Sequence, residues 1–162
     1  MHFRARHHFL ATPATVTRVL ADPDFYRGLA LPDCSPAEVL AAEVHDGAVA
    51  IRLRYEFVGH LDPIVDRMLA GRRLSWIQEV RVDTAARSGE IGFAAEADAA
   101  RLHGSASFVL TDEDGGTARA LEGDLVVSVP VIGKMAERRI VPGIVARLGV
   151  EAAALDRQVS GS

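Results

Sequence analysis

The chain has 162 residues, of which 49% are hydrophobic and 25% are charged, as in an ordinary folded domain. This composition excludes a disordered tail and a collagen-like fibre, and the length predicts one domain over residues 1–162. The formal net charge of −4 offers no basic field to nucleic acid or to an anionic membrane. One cysteine excludes an internal disulfide and is typical of a reducing compartment, so we expect a cytoplasmic protein. The apolar runs are far too short for a membrane span.

The beginning of the chain predicts one strand followed by two short helices. Residues 2–10 alternate in polarity, which is typical of a half-buried strand. Thr12 and Pro13 are residue types that favour the cap and the first position of a helix. Asp22 precedes a second proline, which ends this helix, and another short helix is predicted over residues 23–30.

The middle of the chain predicts six consecutive strands, which we expect to form an antiparallel meander. Asp46-Gly47 is a strong hairpin signal, and a short helix beginning at Asp62-Pro63 interrupts the series. Each strand has one apolar and one polar face, so one side of the sheet should face solvent. The predicted strands are residues 37–45, 48–58, 73–83, 89–98, 101–111 and 117–129.

The end of the chain predicts a long helix that supplies the apolar partner of the sheet. Its apolar residues recur about every fourth position from Ile132 to Leu155. Pro142-Gly143 lies in the middle of this pattern, where proline removes a backbone donor. We therefore expect a kink or a break there, and we predict that it acts as the hinge of a lid.

The order of these elements and two segments of the chain resemble a known superfamily. Residues 1–25 open with alternating His and Phe and continue through Thr12-Pro13 to Asp22-Pro23-Asp24-Phe25. Residues 129–137, Val-Pro-Val-Ile-Gly-Lys-Met-Ala-Glu, resemble the junction between the last strand and last helix in a bacterial family known only as a domain of unknown function. Nearly the whole chain is similar to the START-like (SRPBCC) superfamily, which includes polyketide cyclases and lipid-transfer proteins.

This resemblance implies an α+β helix-grip fold with an internal hydrophobic cavity. A curved, seven-stranded antiparallel sheet would wrap around the long C-terminal helix, with two short helices between the first and second strands. Small residues on the inner face (Ala95, Ala97, Gly104 and Ala106) should leave room for a ligand. The side chains expected to line the cavity are His7, Phe9, Leu53, Tyr55, Phe57, Trp76, Gln78, Phe93, Phe108, Arg119, Leu121, Met135, Ile140 and Ile144.

Four polar residues fall on the predicted apolar face: His7, Tyr55, Gln78 and Arg119. They are candidates to orient a ligand, with Arg119 as the natural partner of an anion. A purely structural interpretation stays open beside this one, with His7 as a hydrogen-bonded core histidine and Arg119 at a strand end in solvent. Convergence of the four on one point would favour a cyclase or hydratase type of enzyme.

No motif in the sequence assigns catalytic residues, a metal or a cofactor. We predict no metal site and no cofactor, and enzyme activity stays open. The six histidines are scattered without metal-ligand spacing, and Cys34 has no identifiable histidine partner. The leading hypothesis is binding or transport of an apolar or amphipathic small molecule, lipid-like or polyketide-like. The alternatives are the enzyme and a protein-interaction module with an apolar patch near residues 60–70 or on the last helix. Ligand identity and oligomeric state stay open.

Overall fold

Seven antiparallel strands form one sheet in the computed structural model, which describes residues 1–161. The strands are β1 (His2–Phe9), β2 (Glu38–His45), β3 (Ala48–Glu56), β4 (Ser75–Asp83), β5 (Ser88–Ala95), β6 (Leu102–Glu113) and β7 (Gly116–Val127). The helices are α1 (Pro13–Leu20), α2 (Pro23–Gly28), α3 (Pro63–Leu69) and α4 (Gly133–Ser160). The curved sheet has the order β1-β7-β6-β5-β4-β3-β2 and wraps around α4. The α+β helix-grip fold predicted from the sequence is confirmed.

The three short helices begin at side-chain caps, each followed by a proline. Thr12 accepts a hydrogen bond from the backbone N–H of Thr15, and Asp22 accepts one from Asp24. Asp62 accepts one from Ile64 at 2.9 Å. Each cap satisfies a donor that the first helical turn leaves free, and proline gives up no hydrogen bond at that position. These caps fix the starts of α1, α2 and α3 where the sequence predicted them.

The long helix α4 spans 28 residues and continues through Pro142, so it does not break there, and a kink at this position stays a prediction. Proline removes one backbone bond, to the carbonyl of Arg138 four residues earlier. Both residues are exposed, so water can solvate that carbonyl. The hinge role of Pro142-Gly143 stays a prediction.

Two strands at one end of the sheet are shorter than the sequence predicted. Strand β4 begins at Ser75, and β5 ends at Ala95, although the Glu96 N–H still donates to the Ser75 carbonyl. Asp98 then turns the chain by accepting a hydrogen bond from the Arg101 N–H at 3.2 Å. Ala97 therefore lies beyond the strand and is exposed.

The junction between β7 and α4 is fixed by a buried glutamate. The Glu137 side chain accepts a hydrogen bond from the Val127 N–H at 3.1 Å and lies 3.2 Å from the Lys134 ammonium. Burial alone would raise the pKa of Glu137, but these donors hold it below its usual value. The carboxylate thus extends the hydrogen bonding of β7 onto the first turn of α4.

The outer face of the sheet carries charged side chains, and the inner face packs on the helices. Cross-strand ion pairs on the outer face include Arg52 with Glu79 at 3.7 Å. In α3, by contrast, Val65, Met68 and Leu69 are buried, so the exposed apolar patch expected there is not present on this helix. No helix within residues 1–161 is long and apolar enough to cross a membrane.

Candidate ligand-binding cavity

A cavity of about 330 Å³ lies between the inner face of the sheet and α4. Strands β4, β5 and β6 form one wall, α4 forms the opposite wall, and α3 with its preceding loop closes one end. Apolar side chains make up most of the lining, as expected for a small-molecule pocket. Those that the sequence analysis did not name are Phe3, Leu31, Leu61, Val65, Leu74, Ile91, Leu102 and Leu148.

Six of the fourteen side chains predicted to line the cavity border it in the structure. Four come from the sheet side and two from the helix. They are Phe57, Trp76, Gln78, Phe93, Ile140 and Ile144. These six side chains come from both walls of the cavity, and their role in ligand binding stays a prediction.

The other eight predicted side chains lie outside the cavity lining. Five are apolar or aromatic core residues with almost no exposure: Phe9, Leu53, Tyr55, Phe108 and Leu121. They face inward as predicted, but the elements packed on them leave no space. Met135 is 46% exposed because it lies one position, about 100°, around α4 from the buried Ala136.

Small residues leave room on only part of the inner face. Ala95 and Ala106 border the cavity, as predicted. The space above Gly104 is filled, since a Cβ added there would overlap the Phe93 ring from the neighbouring strand. Phe93 therefore covers Gly104 and forms part of the cavity wall at the same time.

His7 and Arg119, the remaining two, belong to a buried polar network next to the cavity. Arg119 is 0% exposed and lies within β7, so the expectation that it reaches solvent at a strand end is wrong. Its guanidinium donates to Glu151 Oε1 at 2.6 Å and to the Leu148 carbonyl at 3.4 Å. The guanidinium also lies 5.6 Å from the centre of the Phe9 ring. A buried charge requires such partners, and here α4 supplies the anion.

The histidine of this network is a hydrogen-bond acceptor. Arg119 Nη2 lies 3.1 Å from His7 Nδ1, and an arginine can only donate. Burial, and then the Arg119 charge, lower the pKa of His7 to about 4. The ring is therefore neutral at pH 7 and helps to satisfy the arginine, which agrees with the structural interpretation of His7.

Glu151 is the residue that the sequence analysis missed. It is 6% exposed, and it borders the cavity together with Ile144 and Leu148. Spacings of four and three residues place these side chains on one face of α4. The sequence did contain a signal for this residue, since Glu151 lies within the apolar stripe of the last helix and Arg119 lies on the apolar face of the last strand.

The four polar residues proposed to act together do not all meet at the cavity. His7 contacts Arg119, but of the four only Gln78 borders the cavity. Tyr55 stacks on Trp76 with the ring centres 5.5 Å apart. The Arg119 donors are occupied by Glu151, His7 and Leu148, so the guanidinium serves the network and is not directed at a ligand.

Charged side chains surround one end of the cavity. Arg147 borders it, donates to Cys34 Sγ at 3.2 Å and lies 5.5 Å from the centre of the Phe57 ring. Burial raises the pKa of the Cys34 thiol, although Arg147 opposes this effect. Within residues 1–161, no group of three or more His, Cys, Asp or Glu side chains could hold a metal ion.

Solved structures with this arrangement come from several proteins of low sequence identity. TTHA0849 from Thermus thermophilus is 18% identical with a TM-score of 0.71, covering 99% of this chain and 98% of that one. The Zhui aromatase/cyclase from Streptomyces sp. R1128 is 20% identical with a TM-score of 0.65, covering 98% and 95%. Ara h 8.0201 is 13% identical with a TM-score of 0.61, covering 100% and 99%.

These similarities establish the helix-grip fold. No curated protein matches the sequence. A family model matches residues 4–158, which is nearly the whole chain. The chain belongs to the family described as protein of unknown function (DUF2505).

Proposed function

We propose that the protein binds an apolar or amphipathic small molecule, lipid-like or polyketide-like, between the sheet and α4. The observation that carries this proposal is the cavity of about 330 Å³ with its mainly apolar lining. A partly open space of this size with a mainly apolar lining is typical of a small-molecule pocket.

The size and chemistry of the cavity agree with a small ligand. Its volume is at the lower end of the range of about 300–1,000 Å³ for small-molecule pockets. A few polar groups among apolar walls, such as the Gln78 amide and the Glu151 carboxylate, are typical of sites that orient a ligand. The aromatase/cyclase among the similar structures supports a small-molecule role for this fold.

Trp76 makes the proposal directly measurable. It is the one tryptophan of the chain and it borders the cavity, so its fluorescence reports on an occupant. The first experiment is native mass spectrometry of the purified protein, followed by organic extraction of any bound molecule. The second is titration with an apolar dye such as Nile red, monitored by Trp76 emission.

A cavity-filling variant tests whether this space is the binding site. Ala106→Leu places a larger side chain into the cavity, and we expect it to weaken dye binding at least about fivefold. The matched control is Ala120→Leu, which changes an exposed residue of β7. Equal affinities of the two variants and the wild type, or no response of Trp76 to the dye, would contradict the proposal.

A further inference from the structure

The buried carboxylate of Glu151 has one oxygen in use and one free. Oε1 accepts the Arg119 hydrogen bond, whereas none of the hydrogen bonds identified in the described chain reaches Oε2. Every fully inaccessible side-chain nitrogen or oxygen in the described chain has a hydrogen-bond partner. Oε2 therefore keeps accessible surface, and Glu151 borders the cavity. The cavity is thus bordered by a carboxylate with one oxygen that accepts none of the identified hydrogen bonds.

Two neighbouring polar groups, Tyr26 and His7, are already engaged elsewhere. A third, the Tyr55 hydroxyl, has its pKa raised by burial and then by the Glu151 charge, but it makes no hydrogen bond to Oε2. The Tyr26 hydroxyl donates to the Leu20 carbonyl at 2.9 Å, and His7 accepts from Arg119. Glu151 also contributes, after burial, to raising the pKa of Tyr26 well above its ordinary value. A phenol in this position keeps its proton and stays committed to the Leu20 carbonyl. None of these groups donates to Oε2, which leaves a molecule in the cavity as a partner for it.

The charge of the pair decides which kind of donor fits. Arg119 already neutralises Glu151, so the pair has no net charge to offer a ligand. A ligand ammonium would bring an uncompensated charge into a poorly solvated space, and a ligand carboxylate would also face the Glu151 carboxylate. A neutral hydroxyl donates to Oε2 without either cost, and hydrogen bonds to charged groups are among the stronger ones in proteins.

We propose that Glu151 is a selectivity residue that makes the cavity specific for apolar ligands ending in a hydroxyl group, over the corresponding ethers. This inference rests on the proposed function, because it assigns a headgroup to the ligand of the same cavity. Arg119 acts through Glu151 as a positioning residue, since it holds the carboxylate and cancels its charge.

The test compares three ligands of nearly equal size by Trp76 fluorescence. Octan-1-ol and heptyl methyl ether are isomers that differ in whether the oxygen carries a hydrogen, and octanoate adds the negative charge. We expect octan-1-ol to bind at least about tenfold more tightly than the ether, whereas octanoate can pair with Arg147 at the border of the cavity and reports on that residue. Equal binding of the alcohol and the ether would overturn the selectivity and leave the proposed function intact. No Trp76 response to any of the three would overturn both.

Variants then assign the selectivity to a residue. Arg119→Met combined with Glu151→Met removes both buried charges, and we expect the alcohol-over-ether preference to fall below about threefold while the ether still binds. Glu43→Gln, on an exposed strand residue, is the matched control and should keep the preference. A preference that survives the double substitution, or that disappears in Gln78→Leu, would overturn the assignment. Should the double variant not fold, the wild-type comparison of the three ligands decides.

Discussion

Replacing Glu151 by methionine removes the anion from a fully buried arginine. Arg119 is 0% exposed and has three acceptors: the Glu151 carboxylate, His7 Nδ1 and the Leu148 carbonyl. Breaking a buried ion pair by removing one partner costs about 3–5 kcal/mol. Because two neutral acceptors remain on Arg119, we expect about 3 kcal/mol, the lower end of this range. A domain with about 5–15 kcal/mol of stability can still fold after such a loss.

The assay is urea and thermal denaturation of the wild type, the two single variants and the double variant. At about 2–4 °C per kcal/mol for a chain of this size, the Tm of Glu151→Met should fall by about 6–12 °C. Arg119→Met together with Glu151→Met removes both charges, so the double variant should be more stable than Glu151→Met alone. If Glu151→Met cost less than about 1 kcal/mol, or if the two single effects simply added, the buried network would not be an interacting unit.

Three further predictions concern pH and backbone geometry. The pKa of His7 is about 4 in the folded state, against an ordinary value of 6.5. Between these two pH values the unfolded chain binds more protons than the folded chain. The stability contributed by His7 should therefore be full above pH 6.5 and fall as the pH drops towards 4. Urea denaturation at pH 7 and pH 5 measures how much stability is lost on acidification, and His7→Gln should lose less than the wild type. The control is His8→Gln, at an exposed histidine of the same strand. An equal loss in His7→Gln and the wild type would exclude His7 as the source. A Cβ at Gly104 would overlap the Phe93 ring and lie 2.8 Å from the Asp124 carbonyl oxygen, so Gly104→Ala should cost about 1–3 kcal/mol and weaken ligand binding. Gly92→Ala, where a Cβ meets open space, is its control, and equal stability of the two variants would contradict this geometry. Val131 is 95% exposed and has a φ of +71°, a left-handed backbone conformation that is strained for valine. Val131→Gly should therefore raise the free energy of unfolding by about 1 kcal/mol, whereas Val58→Gly, at a 63% exposed valine, should not. A loss of stability in Val131→Gly would refute the strain at this position.

The fold could be predicted from the sequence because its signals are local. Alternating polarity marks the strands, Thr12, Asp22 and Asp62 mark helix starts, and Asp46-Gly47 marks a hairpin. The structure has each of these features in place, with strand ends shifted by a few residues. Those ends depend on tertiary contacts, such as the turn at Asp98, which polarity alone does not encode.

The cavity was predicted only in outline. A residue on the inner face lines the cavity only where no side chain from the opposite wall packs on it. Alternation correctly placed Phe9, Tyr55 and Phe108 on the inner face, but it does not say whether another side chain already fills the space there. Gly104 shows the same limit, because the ring that fills its space belongs to the neighbouring strand. The pairing of β7 with α4 through a buried ion pair depends on a separation of 32 residues, which no local pattern encodes.

The most direct test of ligand binding between the sheet and α4 is methyl NMR of the protein with octan-1-ol. Intermolecular NOEs from the ligand chain should appear at methyl groups that border the cavity, such as those of Ala106, Ile140 and Ile144. The exposed Val131 and Met135 should show none. NOEs confined to exposed methyl groups, with the cavity methyl groups unchanged at saturating ligand, would contradict the account.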